Sequence, residues 1–563
     1  MRLVDSRRLR GPNLQTREPA AVAEVALEEG ETARGAAAAW KREAAKMCRA
    51  LGWTVRKKSL VARSFSGGLA LALVAPVDAL LEATEVNEWA IDAASRRRTT
   101  SFAAAKKEFR ARVESQANPR LVALRRAALR RDVPFLWDDD HVTLGMAARS
   151  ATFDNARLPD PRVVKWSAFG RIPVALVTGT NGKTTTARLV ARMAKLAGKV
   201  PGCTSTDGIA IDERLVEQGD LTGAEGARLV LRNPQVTLAV LETARGGILR
   251  RGLAVEACDA ALVTNIASDH LGEFGVTDLP TMARAKAVVG TVVRPSGRVV
   301  LNGDDALLAP LADSFSARSV LFFATDTSPV LAERLAKGHT AFTVRRGFFV
   351  RLTRRKETRL ARVAEAPLTF GGAAPHNVEN CLAAAALAWS LRLPDRAVST
   401  ALRTFGRAPS DNPGRGEVVR LRGGVRVLLD FGHTADGLRG LFALARSLLA
   451  PGAAIVCVHT QPGDRTAVDL AALAHEIALA SPRTVTVWES EDYLRGKRRG
   501  AITRALTRAL VGAGVARSTV ASATSETGAL ARAIRTSRAG DVVGGAPHIG
   551  RAAVGEWLAK RLP

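Results

Sequence analysis

The residues best suited to chemistry lie in one glycine-containing loop, residues 178–186, with the sequence TGTNGKTTT. An apolar run precedes it and a helical pattern follows it, so the segment is predicted to fold as strand, loop and helix. Gly179 and Gly182 permit a tight turn whose N–H groups, together with the positive end of the helix, attract anions. Lys183 is expected to reach terminal phosphates and Thr184 to hold Mg²⁺. The loop therefore predicts binding of ATP or a close relative.

The loop departs from the common phosphate-loop pattern, because Val177 stands where that pattern has its first glycine. It is a shorter variant, and we expect Thr180, Asn181 and Thr185 to complete its nucleotide-binding set. A bare Gly-x-x-Gly-Lys-Thr also occurs by chance in loops of α/β proteins. Further residues along the chain have to distinguish these alternatives.

Two such residues follow the next apolar runs. Glu242 ends the run at 238–241, and a carboxylate beside a phosphate loop suits a Mg²⁺ ion that bridges ATP oxygens. His270 follows the run at 260–265 and is a candidate ligand for a second metal. Taken alone, a glutamate at a strand end is more often a solvated end or a helix cap, and a lone histidine is more often structural.

The composition limits the classes of partner. A net charge of +28 attracts polyanions, so nucleic acid is one hypothesis. The basic clusters are scattered, however, and with one tyrosine the chain lacks the interleaved aromatic residues of a stacking surface, which favours solvated helix faces. The five cysteines are far apart and suit a reducing compartment. With no leader-like start and no long apolar run, the prediction is a cytoplasmic protein without membrane contact.

The order of the patterns predicts an α/β protein of three domains. Residues 1–165 form an N-terminal α+β domain, with strand-like segments at 53–61 and 69–75. Residues 166–412 alternate strands and helices, which predicts a P-loop domain with a mostly parallel sheet. Residues 413–563 repeat that alternation and are predicted to form a Rossmann-like α/β domain. The candidate residues then fall at the carboxyl ends of strands, where ligands bind in such sheets.

The loop resembles that of the Mur ligase superfamily, and the order of the later motifs is similar too. Those motifs are Thr-Asn-Ile at 264–266, Asp-His-Leu-Gly at 269–272, Ala-Lys-Ala at 285–287 and Val-Leu-Asn-Gly-Asp-Asp at 300–305. The resemblance implies a ligase that forms amide bonds by activating a carboxylate as an acyl phosphate. It also implies that Lys286 is carbamoylated and joins His270 at a second Mg²⁺ ion.

Three further segments extend the resemblance. Pro-His-Asn-Val-Glu-Asn at 375–380 is similar to the element that contacts adenine, which implies that role for Asn377 and Asn380. In isolation their interpretation as helix caps is equally good. Asn-Pro-Gly-Arg-Gly at 412–416 implies that Arg415 approaches the ATP phosphates on domain closure. Asp430 matches the aspartate that accepts hydrogen bonds from the ribose hydroxyls, and His433 lies in the same motif, at the cleft.

Within the Mur ligase superfamily, the chain most specifically resembles the cyanophycin synthetase family. The Mur-type half of that family joins arginine to the side-chain carboxylates of poly-aspartate. The resemblance is based on the segments at 219–223, 242–250 and 491–497, and on 8–13 and 135–145 at the two ends of the first domain. In that family an ATP-grasp domain lies between the first domain and the Mur half. The segment from Gly145 to Ile172 is too short to hold a domain. We therefore expect this chain to perform at most one of the two ligations.

Together these features predict an ATP- and Mg²⁺-dependent carboxylate–amine ligase. The resemblance implies an amino acid such as arginine as the amine and an acidic or aspartate-containing peptide as the acceptor. Arg245 and Arg250 are candidate clamps for that acceptor, with ordinary surface arginines as the alternative. Self-association into a homo-oligomer is one option. Two other functions stay open: a nucleic-acid-stimulated P-loop ATPase and a catalytically silent Mur-like partner subunit.

Overall fold

The fold is taken from a computed structural model of the 563-residue chain, which describes residues 1–97, 100–269, 271–545 and 551–561 and, within the last range, the side chains only from residue 554. Strands of these residues form four sheets, of four, three, eleven and six strands.

The N-terminal region combines antiparallel strands with helices on one face. Its four-stranded sheet has the order β1-β2-β4-β3, and β5, β6 and β7 form the small sheet. The elements are β1 (Arg2–Leu9), β2 (Ala20–Ala26), α1 (Ala33–Ala50), β3 (Leu60–Phe65), β4 (Gly68–Val74), α2 (Leu80–Ala94), α3 (Phe102–Gln116), α4 (Pro119–Arg130), β5 (Phe135–Trp137), β6 (His141–Met146) and β7 (Arg149–Asp154).

A buried polar network fixes α1 and α2 against this sheet. The Trp40 ring N–H of α1 donates to the Asn87 side-chain oxygen of α2 over 2.8 Å, and the Asn87 amide donates to the Leu71 carbonyl of β4 over 3.0 Å. Trp40 and Asn87 are fully buried, so each of these groups depends on the other for its hydrogen bond.

The central region is built on the eleven-stranded sheet, with the order β11-β10-β9-β12-β8-β13-β14-β15-β16-β17-β18. Strands β9 to β16 in that order pair in parallel, and both edges are antiparallel hairpins. The elements are β8 (Val174–Thr178), α5 (Lys183–Leu196), β9 (Pro201–Ser205), β10 (Gly208–Ile211), β11 (Arg214–Gln218), α6 (Ala224–Arg232), β12 (Leu238–Glu242), α7 (Arg245–Arg251), β13 (Cys258–Val263), α8 (Leu279–Thr291), β14 (Val293–Asn302), β15 (Arg318–Phe322), α9 (Pro329–Ala336), β16 (Ala341–Arg345), β17 (Phe348–Leu352), β18 (Glu357–Arg362), α10 (Pro375–Ser390) and α11 (Asp395–Thr404).

Alternation along the strands divides the core of this sheet into two layers. Ala175 and Val177 of β8 pack with α5, α10 and α11, whereas Val174 and Leu176 pack with α6, α7 and α8 on the other face. Because both faces of β8 are covered, its residues are all apolar up to Thr178, where the chain leaves the sheet.

The C-terminal region is a six-stranded sheet with the order β19-β20-β24-β21-β22-β23, parallel except for the β19-β20 pair. Its elements are β19 (Glu417–Arg420), β20 (Arg426–Leu429), α12 (Ala435–Ser447), β21 (Ile455–His459), α13 (Ala467–Ala480), β22 (Thr484–Trp488), α14 (Ala501–Gly512), β23 (Val520–Ala523), α15 (Glu526–Thr536), β24 (Val542–Gly545) and α16 (Arg551–Ala559).

The predicted fold class is confirmed: an N-terminal α+β region is followed by a mostly parallel central sheet and a second α/β sheet. One strand prediction was wrong over most of its length, because residues 53–56 of the segment predicted at 53–61 are irregular, residues 57–59 form a turn, and a strand begins only at Leu60. Trp53 is nevertheless buried, which explains the apolar signal there. None of the helices in the described ranges is long and apolar enough to cross a membrane.

We predict that Asn87→Leu destabilises the N-terminal region, because it leaves the buried Trp40 N–H without its hydrogen-bond partner and removes the hydrogen bond to the Leu71 carbonyl. The expected loss is about 2 kcal/mol in the free energy of unfolding, measured by calorimetry. Asp92→Leu, on the exposed side of the same helix, is the control and should change stability by less than about 0.5 kcal/mol. Equal stability of N87L and the unchanged protein would contradict the prediction.

Candidate active site

Two glycines let the phosphate loop between β8 and α5 approach its neighbours closely. Gly179 has a φ of +146°, and a Cβ there would lie 1.8 Å from the Thr264 hydroxyl. Gly182 has a φ of +81°, and a Cβ there would lie 2.1 Å from the Asn380 side-chain oxygen. The backbone conformation and the close contacts therefore both exclude a larger residue at these positions.

The end of β13 holds the loop in this shape. The Thr180 N–H donates to the Asn265 carbonyl and the Asn181 N–H to the Asn265 side chain, both over 2.9 Å. The Thr264 hydroxyl donates to the Asn181 carbonyl over 2.6 Å. The Thr-Asn-Ile motif thus supports the loop through hydrogen bonds, a role that its polar side chains could suggest but its position in the sequence could not.

A carboxylate, a hydroxyl and an ammonium group meet at the start of α5. The Thr184 hydroxyl donates to one Glu242 oxygen over 2.7 Å, and Thr184 and Glu242 are only 3% and 2% exposed. Burial raises the pKa of Glu242 from its ordinary value, while the charges of Lys183 and Arg415 and the hydrogen bond from Thr184 oppose that shift. Lys183 folds back onto the loop and donates to the Thr180 carbonyl over 2.9 Å.

This arrangement fits a Mg²⁺ ion. The second Glu242 oxygen is buried and has no hydrogen-bond partner among the residues that the structure describes. A buried carboxylate oxygen without a partner is costly, and a hard cation that also binds the Thr184 hydroxyl would satisfy it. Both oxygens belong to ligand types that Mg²⁺ prefers.

Lys286, the other predicted metal ligand in the described ranges, is buried at the loop. Its ammonium group donates to the Gly179 carbonyl over 2.8 Å, and the side chain is 4% exposed. Burial, with repulsion from Lys183, lowers the pKa of Lys286 to about 7, and Asp269 opposes the shift. His270, the remaining predicted ligand, lies outside the described residues.

The C-terminal region completes the site. A cavity of about 620 Å³ is lined by the loop from Thr180 to Thr185 together with Glu242, Arg415, Asp430 and His433. Arg415 donates to the Thr206 hydroxyl over 3.0 Å and lies 5.2 Å from the Phe431 ring centre. The Thr434 hydroxyl donates to the Asn181 side chain over 3.1 Å. The motifs from the two sheets therefore share one cavity.

The predicted adenine-contacting residues also line this cavity, but they bond to each other. The Asn380 amide donates to the Asn377 side-chain oxygen over 3.0 Å, and both residues are buried at the start of α10. Their neighbour Glu379 lines the cavity too, and burial raises its pKa to about 7, with Asp304, Asp305 and Asp436 adding to the shift. The contact of Asn377 and Asn380 with adenine stays a prediction.

The two predicted acceptor clamps differ in environment. Arg245, at the start of α7, is 8% exposed and donates to Glu273 over 2.5 Å. Its Nη1 atom is buried and has no hydrogen-bond partner within the described ranges. Arg250 is exposed and stacks 5.4 Å from the Phe274 ring centre. Arg245 is therefore the better placed of the two for a buried anion.

The sequence interpretation missed one contact between the two sheets. Arg465 of the C-terminal region donates to Asp269 of the central region over 2.8 Å, and the Arg465 side chain is 6% exposed. His433 lies 4.0 Å from the same carboxylate, and burial lowers the pKa of His433 to about 4. Asp269 was part of a recognised motif, but nothing in the sequence could pair it with an arginine nearly two hundred residues later.

Two family models match the chain: the Mur ligase middle domain over residues 177–388, and the Mur ligase, glutamate ligase domain over residues 414–547. These matches confirm the resemblance to Mur ligases that the motifs indicated.

Two curated relatives show how much of the chain is shared. Cyanophycin synthetase of Synechocystis sp. is 38% identical over 330 residues, 59% of this chain and 37% of that protein. A UDP-N-acetylmuramate--L-alanine ligase of Xanthomonas campestris pv. campestris is 31% identical over 274 residues, 48% of this chain and 50% of that protein. The chain thus spans half or less of the length of these relatives.

Solved structures agree on the fold. E. coli FolC in complex with ADP superposes with a TM-score of 0.51 at 17% identity, covering 69% of this chain and 89% of that one. A second FolC complex, with DHPP and ADP, has a TM-score of 0.50 at 18% identity and covers 69% and 88%.

We predict that Gly182→Ala abolishes nucleotide binding. The added methyl group must displace the Asn380 side chain at a positive φ, which distorts the loop. Binding of a fluorescent ATP analogue measures the loss. Gly198→Ala is the matched control, since Gly198 has a φ of +76° but a Cβ there would meet no atom within 4 Å. Both variants should lose about 1 kcal/mol of stability from backbone strain, and only G182A should fail to bind. Unchanged affinity in G182A would refute the assignment of the loop.

Proposed function

The chain belongs to the Mur ligase family, through its middle and C-terminal domains, and we propose on that basis that it is an ATP-dependent ligase that joins a carboxylate to an amine. The observation that carries the proposal is the shared cavity, in which the phosphate loop, the buried Glu242 carboxylate and Arg415 meet. We further propose domains at 1–165, 166–412 and 413–563, with the cavity between the second and third.

The proposed reaction begins with ATP in the cavity. The loop N–H groups and Lys183 bind the phosphates, and Asn377, Asn380 and Asp430 are the proposed contacts of the nucleoside. An oxygen of the acceptor carboxylate attacks the γ-phosphorus in line, the bond to the β-γ bridging oxygen breaks, and an acyl phosphate and ADP result. Lys183 and Arg415 supply positive charge where negative charge grows on the transferring group.

The second step forms the amide bond. The neutral amine attacks the acyl carbon, a tetrahedral oxyanion forms, and it collapses with loss of a proton and departure of inorganic phosphate. Contacts between the two sheets, such as Thr434 with Asn181 and Arg465 with Asp269, support a closed cleft that keeps water from the acyl phosphate.

We propose two Mg²⁺ sites. Thr184 and Glu242 would hold the first ion, and His270 with carbamoylated Lys286 the second. When bound, Mg²⁺ would act as a Lewis acid that offsets the negative charge of the phosphate groups. The environment of Lys286 supports carbamoylation, because about half of an amine with a pKa of about 7 is uncharged at pH 7, and the nitrogen of the neutral form can attack CO₂, releasing a proton.

The substrates are proposed from the relatives that the chain resembles. Arginine or another amino acid is the proposed amine and an acidic or aspartate-containing peptide the proposed acceptor, with Arg245 as a clamp for the acceptor. The net charge of +28 supports an acidic acceptor, since the field of the protein draws anions toward it.

The direct test measures phosphate release with a panel of amino acids, with and without short acidic peptides, and identifies products by mass spectrometry. We expect a new amide for at least one pair and a loss of at least about 10²-fold in rate for Lys183→Ala, because transition-state charge is then unscreened. Lys195→Ala, on the same helix, should keep full activity. ATP turnover that is stimulated by nucleic acid and yields no amide would refute the ligase proposal.

A separate test addresses Lys286. In ¹³C-bicarbonate the protein should show a carbamate NMR signal that Lys286→Arg lacks and Lys195→Arg keeps. The signal should grow as pH rises through about 7, because the lowered pKa makes more of the amine neutral above that value. Ligase activity should rise over the same range. A signal that is absent at every pH would show that Lys286 acts as an unmodified amine.

A further inference from the structure

The segment 271–276, called here the junction loop, follows Asp269 and lies where the N-terminal region contacts the central one. Its backbone is unusual at three positions: Gly272 has a φ of +97°, Phe274 of +53° and Gly275 of +62°. Phenylalanine rarely adopts a left-handed conformation, so contacts with its surroundings have to hold Phe274 there.

Two arginines stack on the Phe274 ring. The Arg7 guanidinium of β1 lies 4.6 Å from the ring centre, and that of Arg250, at the end of α7, lies 5.4 Å away. Arg7 is itself fixed, since it donates to Glu24 over 2.7 Å and to the Leu249 carbonyl over 2.7 Å. The N-terminal sheet therefore holds one side of the junction loop through a cation–π contact.

A second contact fixes the next residue of the loop. The Arg63 side chain of β3 donates to the Gly275 carbonyl over 3.1 Å. A Cβ at Gly275 would lie 2.8 Å from the Phe65 ring, so the loop backbone packs directly against the N-terminal sheet. Both contacts come from the N-terminal region and converge on two adjacent residues.

The junction loop connects this surface with the proposed catalytic groups. Glu273 accepts from Arg245, the proposed acceptor clamp. Leu271, Phe274 and Val276 belong to a small apolar cluster that includes Ala285, the neighbour of Lys286. A shift of the loop would therefore move the environment of both Arg245 and Lys286.

We propose that the N-terminal domain positions the junction loop for catalysis and that Phe274 is the positioning residue through which it acts. The expected effect on kcat rests on the proposed ligase function, whereas the expected effect on the structure of the junction loop does not. Phe274 is not among the described residues that line the cavity; it holds Glu273, and through it Arg245, at the acceptor side of the site. Arg7, Arg63 and Phe65 of the N-terminal domain form the complementary surface.

The test compares Phe274→Leu with Phe274→Tyr. Leucine keeps an apolar side chain but loses both cation–π contacts, whereas tyrosine keeps them. The chain offers a matched control in Phe348, whose ring also lies between two arginines, 4.8 Å from Arg359 and 4.6 Å from Arg362, at the edge of the central sheet. Amide hydrogen exchange of the peptide that covers 271–276 is measured together with ligase kinetics.

We expect exchange of the junction loop to become faster in F274L and to return to the original rate in F274Y, with F348L unchanged. The kcat of F274L should fall about tenfold while the KM for ATP changes less than about twofold, because only the acceptor side is displaced. Arg63→Ala removes the hydrogen bond to the Gly275 carbonyl and should show the same pattern. This variant replaces F274L in the test if F274L does not fold.

Three results are distinguishable. Unchanged exchange of the loop in F274L and R63A would overturn the positioning role whatever the activity. Equal loss of kcat in F274L and F274Y would overturn it as well, because the arginine contacts would then not matter. Faster exchange in F274L with no amide formed by any variant, the unchanged protein included, would overturn the ligase function and support the role of the N-terminal domain as a structural clamp.

Discussion

The burial of the Glu242 carboxylate is the constraint on which the site depends. A carboxylate that is 2% exposed loses most of its hydration, and the structure offsets that cost with one hydroxyl, Thr184, and two nearby cations, Lys183 and Arg415. These four groups come from three elements: Glu242 from the end of β12, Lys183 and Thr184 from the start of α5, and Arg415 from the segment before β19. One Glu242 oxygen remains without a hydrogen-bond partner in the described ranges, which supports the proposed metal ion at this position.

Close contacts with neighbouring side chains determine the shape of the phosphate loop. The Thr264 hydroxyl and the Asn380 oxygen lie where a Cβ on Gly179 or Gly182 would be, so the two glycines are required by contacts from β13 and α10 and by their own φ angles. Contacts within the chain therefore fix the conformation of the loop.

Local patterns could predict this part of the molecule, and long-range contacts could not. The run at 174–186 encodes strand, loop and helix in consecutive residues, so its fold could be derived directly, and Glu242 followed from its place at a strand end. The strand predicted at 53–61 was wrong over most of its length because an apolar residue, Trp53, is buried although its backbone is irregular. The pairing of Asp269 with Arg465 and the stacking of Arg7 on Phe274 join residues that are remote in the chain, and an arginine in a chain with 82 lysines and arginines carries no signal of its partner. The roles assigned to the site residues, Asn377, Asn380, Lys286 and His270 among them, stay predictions.

All three regions meet around Asp269 and the junction loop. The contacts that the C-terminal region makes there are polar, whereas those of the N-terminal region include packing against an aromatic ring. Among the described residues, the C-terminal region reaches this place by the ion pair of Arg465 with Asp269, by His433 at 4.0 Å from the same carboxylate, and by a hydroxyl contact at Asn181. Such polar contacts can form and break as a cleft opens, because water can replace them at little cost. The N-terminal region instead packs the Phe65 ring against the loop backbone at Gly275 and the Arg7 guanidinium on the Phe274 ring. Contacts of this kind tolerate little displacement. The N-terminal and central regions are therefore expected to move together at the junction loop.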